Sequence, residues 1–148
     1  MAENQFTTQS GWACAGMEAP LDIEIASSGV FYSPDLSLVT TSVYNFTIED
    51  DGLTANLKGV YLLNASFTTT GAINDELAVC FSYEETSGSI LTASVTYDSK
   101  GGNSWAVNQS VIIHTFESGV RFQMAFANND STSSITLDNL IFSAIKIY

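Results

Sequence analysis

His114, acidic residues that are adjacent in the sequence, and two cysteines are the groups that could take part in catalysis or metal binding. His114 is the only histidine. It lies in a segment that predicts a β-strand, and no motif places a nucleophile or an orienting carboxylate beside it. Motifs of metalloproteases, serine hydrolases and nucleotide-binding enzymes are absent from the sequence. We therefore expect a protein that is not an enzyme and that carries no cofactor.

The acidic pairs, Asp50 with Asp51 and Glu84 with Glu85, fall in segments with the composition of turns. Carboxylate pairs contribute to calcium sites and to glycoside hydrolysis in other proteins. Because adjacent side chains in an extended turn tend to point apart, solvated turn residues are the favoured interpretation at both places.

Cys14 and Cys80 have neither redox-motif nor zinc-site spacing, and we expect two free thiols, with a disulfide between them as the alternative. Four Asn-x-Ser/Thr sequences are also present. The N-terminal residues have neither the basic nor the apolar region of a secretion signal, so we expect these glycosylation acceptors to be unused. The acceptors are Asn45, Asn64, Asn108 and Asn129.

The net charge of -12 and the pI near 4.1 exclude several classes of partner. Nucleic-acid binding needs clustered Lys and Arg, and the four basic residues of this chain are scattered. Anionic membranes are disfavoured for the same reason, and no apolar run is long enough to span a bilayer. We expect neither nucleic acid nor a membrane as a partner.

The hydrophobic pattern is that of β-strands throughout, and 148 residues suit a single domain. Stretches rich in Val, Ile, Thr and aromatic residues alternate with short Gly, Asn, Asp and Ser clusters, which predicts nine or ten strands in a sandwich or barrel. Residues 1–20 lack strict alternation. We interpret 1–20 as an arm or a loosely paired first strand and 21–148 as the folded domain.

A family resemblance comes from the segment that begins Gly59, Val60, Tyr61, which is preceded by the alternating residues 53–58. It resembles the Gly-x-Tyr strand of the tumour necrosis factor (TNF) and C1q-like proteins, and residues 134–148 resemble their final strand. The resemblance covers residues 22–148. It implies an all-β, antiparallel jelly-roll β-sandwich of about eight to ten strands.

The same resemblance implies a threefold homotrimer with aromatic and aliphatic side chains along its axis. Tyr61 matches the tyrosine of the motif, and Phe142 and Tyr148 lie on the last strand, which usually lines the axis in this family. We therefore expect these three residues at the trimer interface. Core packing within one subunit is the alternative for each of them.

An acidic jelly roll that starts with Met and shows no stalk or anchor resembles small trimeric proteins of phage particles, namely capsid decoration (cement) proteins and fibre heads. We favour a decoration protein made in the host cytoplasm and located on the virion surface, with the major capsid protein as its partner. The alternative is a receptor- or carbohydrate-binding module, in which Tyr97 and Trp105 would stack on a glycan beside the loop 98–103.

Three large apolar residues of the N-terminal segment, Phe6, Trp12 and Met17, have no obvious sheet face to occupy. An exposed tryptophan on an arm suggests a surface that buries it. Two interpretations remain open. Either the segment folds back as a first strand, with Trp12 in a core, or it inserts into a hydrophobic groove between capsid subunits and attaches the protein there.

Overall fold

The computed structural model describes residues 9–71, 74–84, 90–98 and 105–148, with 90–98 and residue 105 described by their backbone alone. Within these residues the chain forms eleven strands and no helix, against the nine or ten strands that the pattern predicts. The strands are β1 (Trp12–Gly16), β2 (Leu21–Ile23), β3 (Val39–Tyr44), β4 (Phe46–Glu49), β5 (Gly52–Ala55), β6 (Gly59–Thr70), β7 (Leu77–Glu84), β8 (Ile90–Asp98), β9 (Trp105–Thr115), β10 (Val120–Asn128) and β11 (Ile135–Lys146).

The strands form two antiparallel sheets. The first sheet has the order β3-β1-β11-β6-β9, with β2 also paired to β11, and the second has the order β4-β5-β10-β7-β8. Strand alternation directs one set of side chains of each sheet into a shared core. Along β6, Tyr61, Leu63, Ala65 and Phe67 are buried and the residues between them are not.

Residues 12–16 form a paired strand, which is one of the two interpretations left open for the N-terminal segment. β1 lies between β3 and β11 and pairs with both. Ala13 and Ala15 point into the core and are buried. The folded domain therefore includes β1 and does not begin at residue 21.

The core contains Tyr61 and Phe142, and this corrects their expected place at a trimer interface. Both side chains have 0 % exposure within the single chain. The Tyr61 ring packs against Phe46 and Phe122, and Phe142 stacks on Phe81 across the two sheets. Side chains enclosed by their own subunit cannot touch another, so the alternative of core packing holds for these two residues.

Gly59 allows the end of the chain to lie against the start of β6. Its φ of +154° is rare for residues with a side chain, and a Cβ at this position would lie 2.3 Å from the carbonyl oxygen of Tyr148. The glycine of the Gly-x-Tyr sequence is therefore required by the close approach of the C-terminal residues.

Both cysteines are free thiols, as expected, and they lie in different sheets. Cys80 is buried on β7, and burial raises the pKa of its thiol to about 11. No helix in the described part of the chain could cross a membrane.

Candidate functional site

The outer face of the first sheet carries a row of five exposed apolar side chains, one from each main strand. The strand register places Tyr44 beside Trp12, Trp12 beside Ile145, Ile145 beside Leu62, and Leu62 beside Ile112. Their exposed fractions range from 36 % for Leu62 to 62 % for Ile112. We call these five residues the apolar row.

Trp12 is held in the apolar row by two contacts. Its indole ring lies 4.9 Å from the ring of Tyr44, and its Nε1–H donates a hydrogen bond to Ser42 Oγ at 3.0 Å. Met17 is partly buried and packs against the core, and Phe6 lies outside the described residues. The structure therefore does not bring Trp12 and Met17 together on a free arm.

A row of small polar residues lies next to the apolar row on the same face. Asn64 lies in this row on β6, and its Nδ2 donates hydrogen bonds to Asn108 Oδ1 at 2.9 Å and to Ser110 Oγ at 2.7 Å. Beyond this row lies the exposed Ile141, which is flanked by Gly16 and Ser66. We call the paired residues of this layer the polar row: Ser42, Cys14, Ser143, Asn64 and Ser110.

The part of this face that surrounds the two rows carries no fixed charge, and the exposed Asp22 of β2, which accepts a hydrogen bond from Thr136, lies outside that part. None of the outward-facing side chains of β3, β1, β6, β9 and residues 139–145 of β11 is Asp, Glu, Lys or Arg. Depletion of charge together with exposed aromatic and aliphatic side chains is typical of the buried centre of a protein–protein interface. In a chain of net charge -12, such a face indicates a surface that another macromolecule covers.

Two aromatic side chains stand at one end of the face. Tyr148 and Phe116 are each about three-quarters exposed, at 74 % and 75 %. The exposed His114 packs its ring 4.3 Å from the ring of Phe116. Of the three residues expected at the trimer interface, only Tyr148 is therefore available for contact with another subunit.

A charged cluster lies on the second sheet and corrects one expectation from the sequence. Arg121 contacts Glu49, Asp51 and Glu84, and Asp51 also accepts a hydrogen bond from Gln123 Nε2 at 2.8 Å. Asp51 is thus ion-paired and is not a solvated turn residue. Glu85 lies outside the described residues. In the part of the chain that is described, no group of three or more His, Cys, Asp or Glu could hold a metal ion.

The sugar-stacking interpretation falls on side chains outside the described part of the structure. The backbone of Tyr97 lies in β8, opposite Ala78, and that of Trp105 begins β9, opposite Thr69. The loop 99–104 between them is also outside the described residues.

One signal in the sequence could have identified the apolar row. The segment that forms β9 has Val111 and Ile113 on one face and Ile112 on the other, so both of its faces are partly apolar. A strand with two apolar faces indicates that the outer face is also covered. Trp12, Tyr44 and Ile145 have no comparable signal, because only the register of distant strands aligns them.

The fold is similar to several solved structures at low sequence identity. The crystal structure of murine APRIL at pH 5.0 has a TM-score of 0.68 and 11 % identity, and covers 94 % of this chain and 100 % of that chain. Eiger TNF from S. frugiperda has a TM-score of 0.67 and 10 % identity, with 94 % and 92 % covered. The globular domain of zebrafish complement 1qA has a TM-score of 0.61 and 14 % identity, with 95 % and 98 % covered.

The sequence itself matches no family model and no curated protein. The structural similarity nevertheless shows the fold, because the matches extend over nearly the whole chain. The chain is a TNF/C1q-like jelly roll, as the Gly-x-Tyr segment predicts.

Proposed function

We propose that this TNF/C1q-like jelly roll assembles into a homotrimer through the outer face of its first sheet and acts as a non-enzymatic binding module. The observation that carries the proposal is the apolar row, which lies in a part of the face without fixed charge. A threefold assembly is also what the family resemblance of the sequence implies.

The charge distribution supports self-association at this face. Each subunit has a net charge of -12, so subunits repel one another in most orientations. Contact through the uncharged part of this face brings the apolar rows together while the acidic side chains stay in solvent. Repulsion between the acidic surfaces of two subunits therefore disfavours contact through their other faces and favours association through this one.

The apolar row also supplies a driving force for assembly. Burying the exposed parts of its five side chains contributes about 1 kcal/mol each, on the scale of 25 cal/mol per Å² of apolar surface. Aromatic residues such as Trp12 and Tyr44 are the types that dominate interface energies. Trp12 is therefore assigned to the contact between subunits.

For the partner of the trimer, we propose the outer surface of a phage capsid, with the major capsid protein as the binding site. An acidic surface rich in uncharged polar residues and a lack of recognisable catalytic motifs support a structural role. A trimer placed at a threefold point of a particle multiplies each weak contact by avidity. In this proposal the protein is made in the host cytoplasm and is located on the virion surface.

The trimer is tested by the mass of the protein in solution. Sedimentation equilibrium should give three times the chain mass of 15.9 kDa. Ile145→Asp, in the centre of the apolar row, should give folded monomers, with folding checked by circular dichroism. Val30→Asp is a matched control, because Val30 is 45 % exposed and Ile145 is 47 % exposed, and it should remain trimeric. A wild-type monomer would contradict the proposal.

The partner is tested separately by incubating the trimer with intact and with decoration-stripped virions. Saturable binding to stripped particles alone supports decoration. A trimer that binds neither intact nor stripped virions but binds on a glycan array would support the carbohydrate-binding alternative and contradict the proposed role as a decoration protein.

A further inference from the structure

A group of hydrogen-bonded polar side chains lies on β6 and β9, beside the central strand of the proposed interface. Asn64 stands on β6 between Ser143 of β11 and Ser110 of β9, and Leu62 of the apolar row is two residues away on the same strand. Both Nδ2 hydrogens of Asn64 are used, towards Asn108 and Ser110. We call Asn64, Asn108 and Ser110 the amide cluster.

The amide cluster has unused hydrogen-bonding capacity. Within the described residues, the side-chain carbonyl of Asn64 accepts no hydrogen bond, and neither the Asn108 amide nitrogen nor the Ser110 hydroxyl donates one. In the single subunit these groups are open to water. A partner that covers the apolar row must cover them too, because neighbouring rows on one face are only about 7 Å apart.

We infer that the amide cluster determines the register and the number of subunits of the assembly that the apolar row drives. This inference rests on the proposed homotrimer. Apolar contact is non-directional and permits many registers and stoichiometries. Each arrangement that buries the cluster without partners weakens association, by roughly ten- to a hundredfold per unpaired group.

A second copy of this chain is the partner whose chemistry fits the cluster. The cluster offers an acceptor at Asn64 and donors at Asn108 and Ser110, so the same surface on another subunit can satisfy it. It carries no charge and needs no counter-ion. Coiled coils show the same effect: a single polar layer in their apolar interface specifies register and subunit number, because other arrangements leave its polar groups unpaired. The polar layer lowers stability to some extent.

The test replaces the cluster with apolar residues of similar or smaller size. The variant Asn64→Leu/Asn108→Leu/Ser110→Ala should associate more tightly than the wild type and should populate dimers, tetramers and larger species in native mass spectrometry. Thr47→Ala/Asn56→Leu makes a comparable change at exposed positions outside the face and should remain a single trimeric species.

A second variant keeps the test informative if the apolar variant misfolds. Asn64→Asp keeps the side-chain size but replaces a donor with an acceptor, and it should lower the trimer association constant at least tenfold at pH 7. If the wild type, the apolar variant and the Asn64→Asp variant are all strictly trimeric, this inference alone is overturned. A monomeric wild type would instead remove the proposed trimer on which the inference rests.

Discussion

The backbone amide of Val60 donates a hydrogen bond to the carbonyl oxygen of Tyr148 at 2.7 Å. This bond holds the end of the chain beside Gly59, at the start of β6, which lies between β11 and β9 in the first sheet. The Gly-x-Tyr segment and the C-terminal residues, which carry the family resemblance in the sequence, are therefore in direct contact in the structure.

Gly59→Ala should destabilise the subunit by about 1–3 kcal/mol, because the backbone has a positive φ and the new Cβ meets the Tyr148 carbonyl. Thermal unfolding followed by circular dichroism measures the change. Gly29→Ala is the control, since Gly29 also has a positive φ, of +73°, but nothing lies within 4 Å of its Cβ position. Equal losses in the two variants would show that the contact with Tyr148 contributes nothing.

Phe142→Ala should lower the stability of the folded subunit itself and should not merely dissociate the trimer. Phe142 is fully buried and stacks on Phe81, so its removal costs about 3–5 kcal/mol through lost packing and a residual cavity. Urea denaturation measures the loss. Tyr148→Ala, at an exposed position, should leave subunit stability within about 0.5 kcal/mol of the wild type. A Phe142→Ala variant that is a stable, folded monomer would show that Phe142 contributes to the contact between subunits and not to the core.

Stability should fall in alkaline solution, between pH 9 and pH 12. Burial raises the pKa of Cys80 from 9.0 to about 11 and that of Tyr61 from 10.0 to about 12. The unfolded chain releases these protons at lower pH than the folded chain does, so the stabilising contribution is complete below pH 9 and is lost as the pH rises. Each group accounts for roughly 2–3 kcal/mol of that loss.

Denaturant unfolding at pH 8, 10 and 11 measures the alkaline effect. Tyr61→Phe should cost about 1 kcal/mol at pH 8, because the hydroxyl donates a hydrogen bond to the Leu57 carbonyl, but should flatten the decline above pH 10. An unaltered profile in Tyr61→Phe would mean that the Tyr61 phenol does not contribute to it.

Glycosylation at Asn64 or Asn108 should prevent assembly, because both acceptors lie on the face proposed to be covered. Secretion from a glycosylating host should therefore give monomers carrying glycan, measured by mass and sedimentation. Removing both acceptor sequences with Ser66→Ala and Asn108→Gln, which keep Asn64, Ser110 and an amide at position 108, should restore trimers. Modification confined to Asn129, which lies outside the first sheet, should leave the trimer intact. Trimers that carry glycan on Asn64 would contradict the assignment of this face.

The alternation of apolar and polar residues in the sequence predicted most of the strands and part of the core. Along residues 63–67 the period-two pattern separates the buried Leu63 and Phe67 from Asn64 and Ser66, because successive side chains of a strand point to opposite faces. The pattern does not separate Tyr61 and Leu63 from Leu62, which is apolar but exposed. The same dependence on alternation explains why the sequence did not distinguish a strand from an arm at residues 12–16. With only five residues and two alanines facing inward, β1 has too little apolar periodicity to be distinguished from an arm.

The candidate interface depended on the tertiary structure. Trp12, Leu62, Ile112 and Ile145 are far apart in the chain, and only the register of β1, β11, β6 and β9 places them side by side. A shift of one residue in any pairing would move that strand's side chains to the opposite face. The sequence by itself therefore determined an acidic β-sandwich with a Gly-x-Tyr strand. Long-range pairing decided that Phe142 lies inside the subunit and that Ile145 lies outside it.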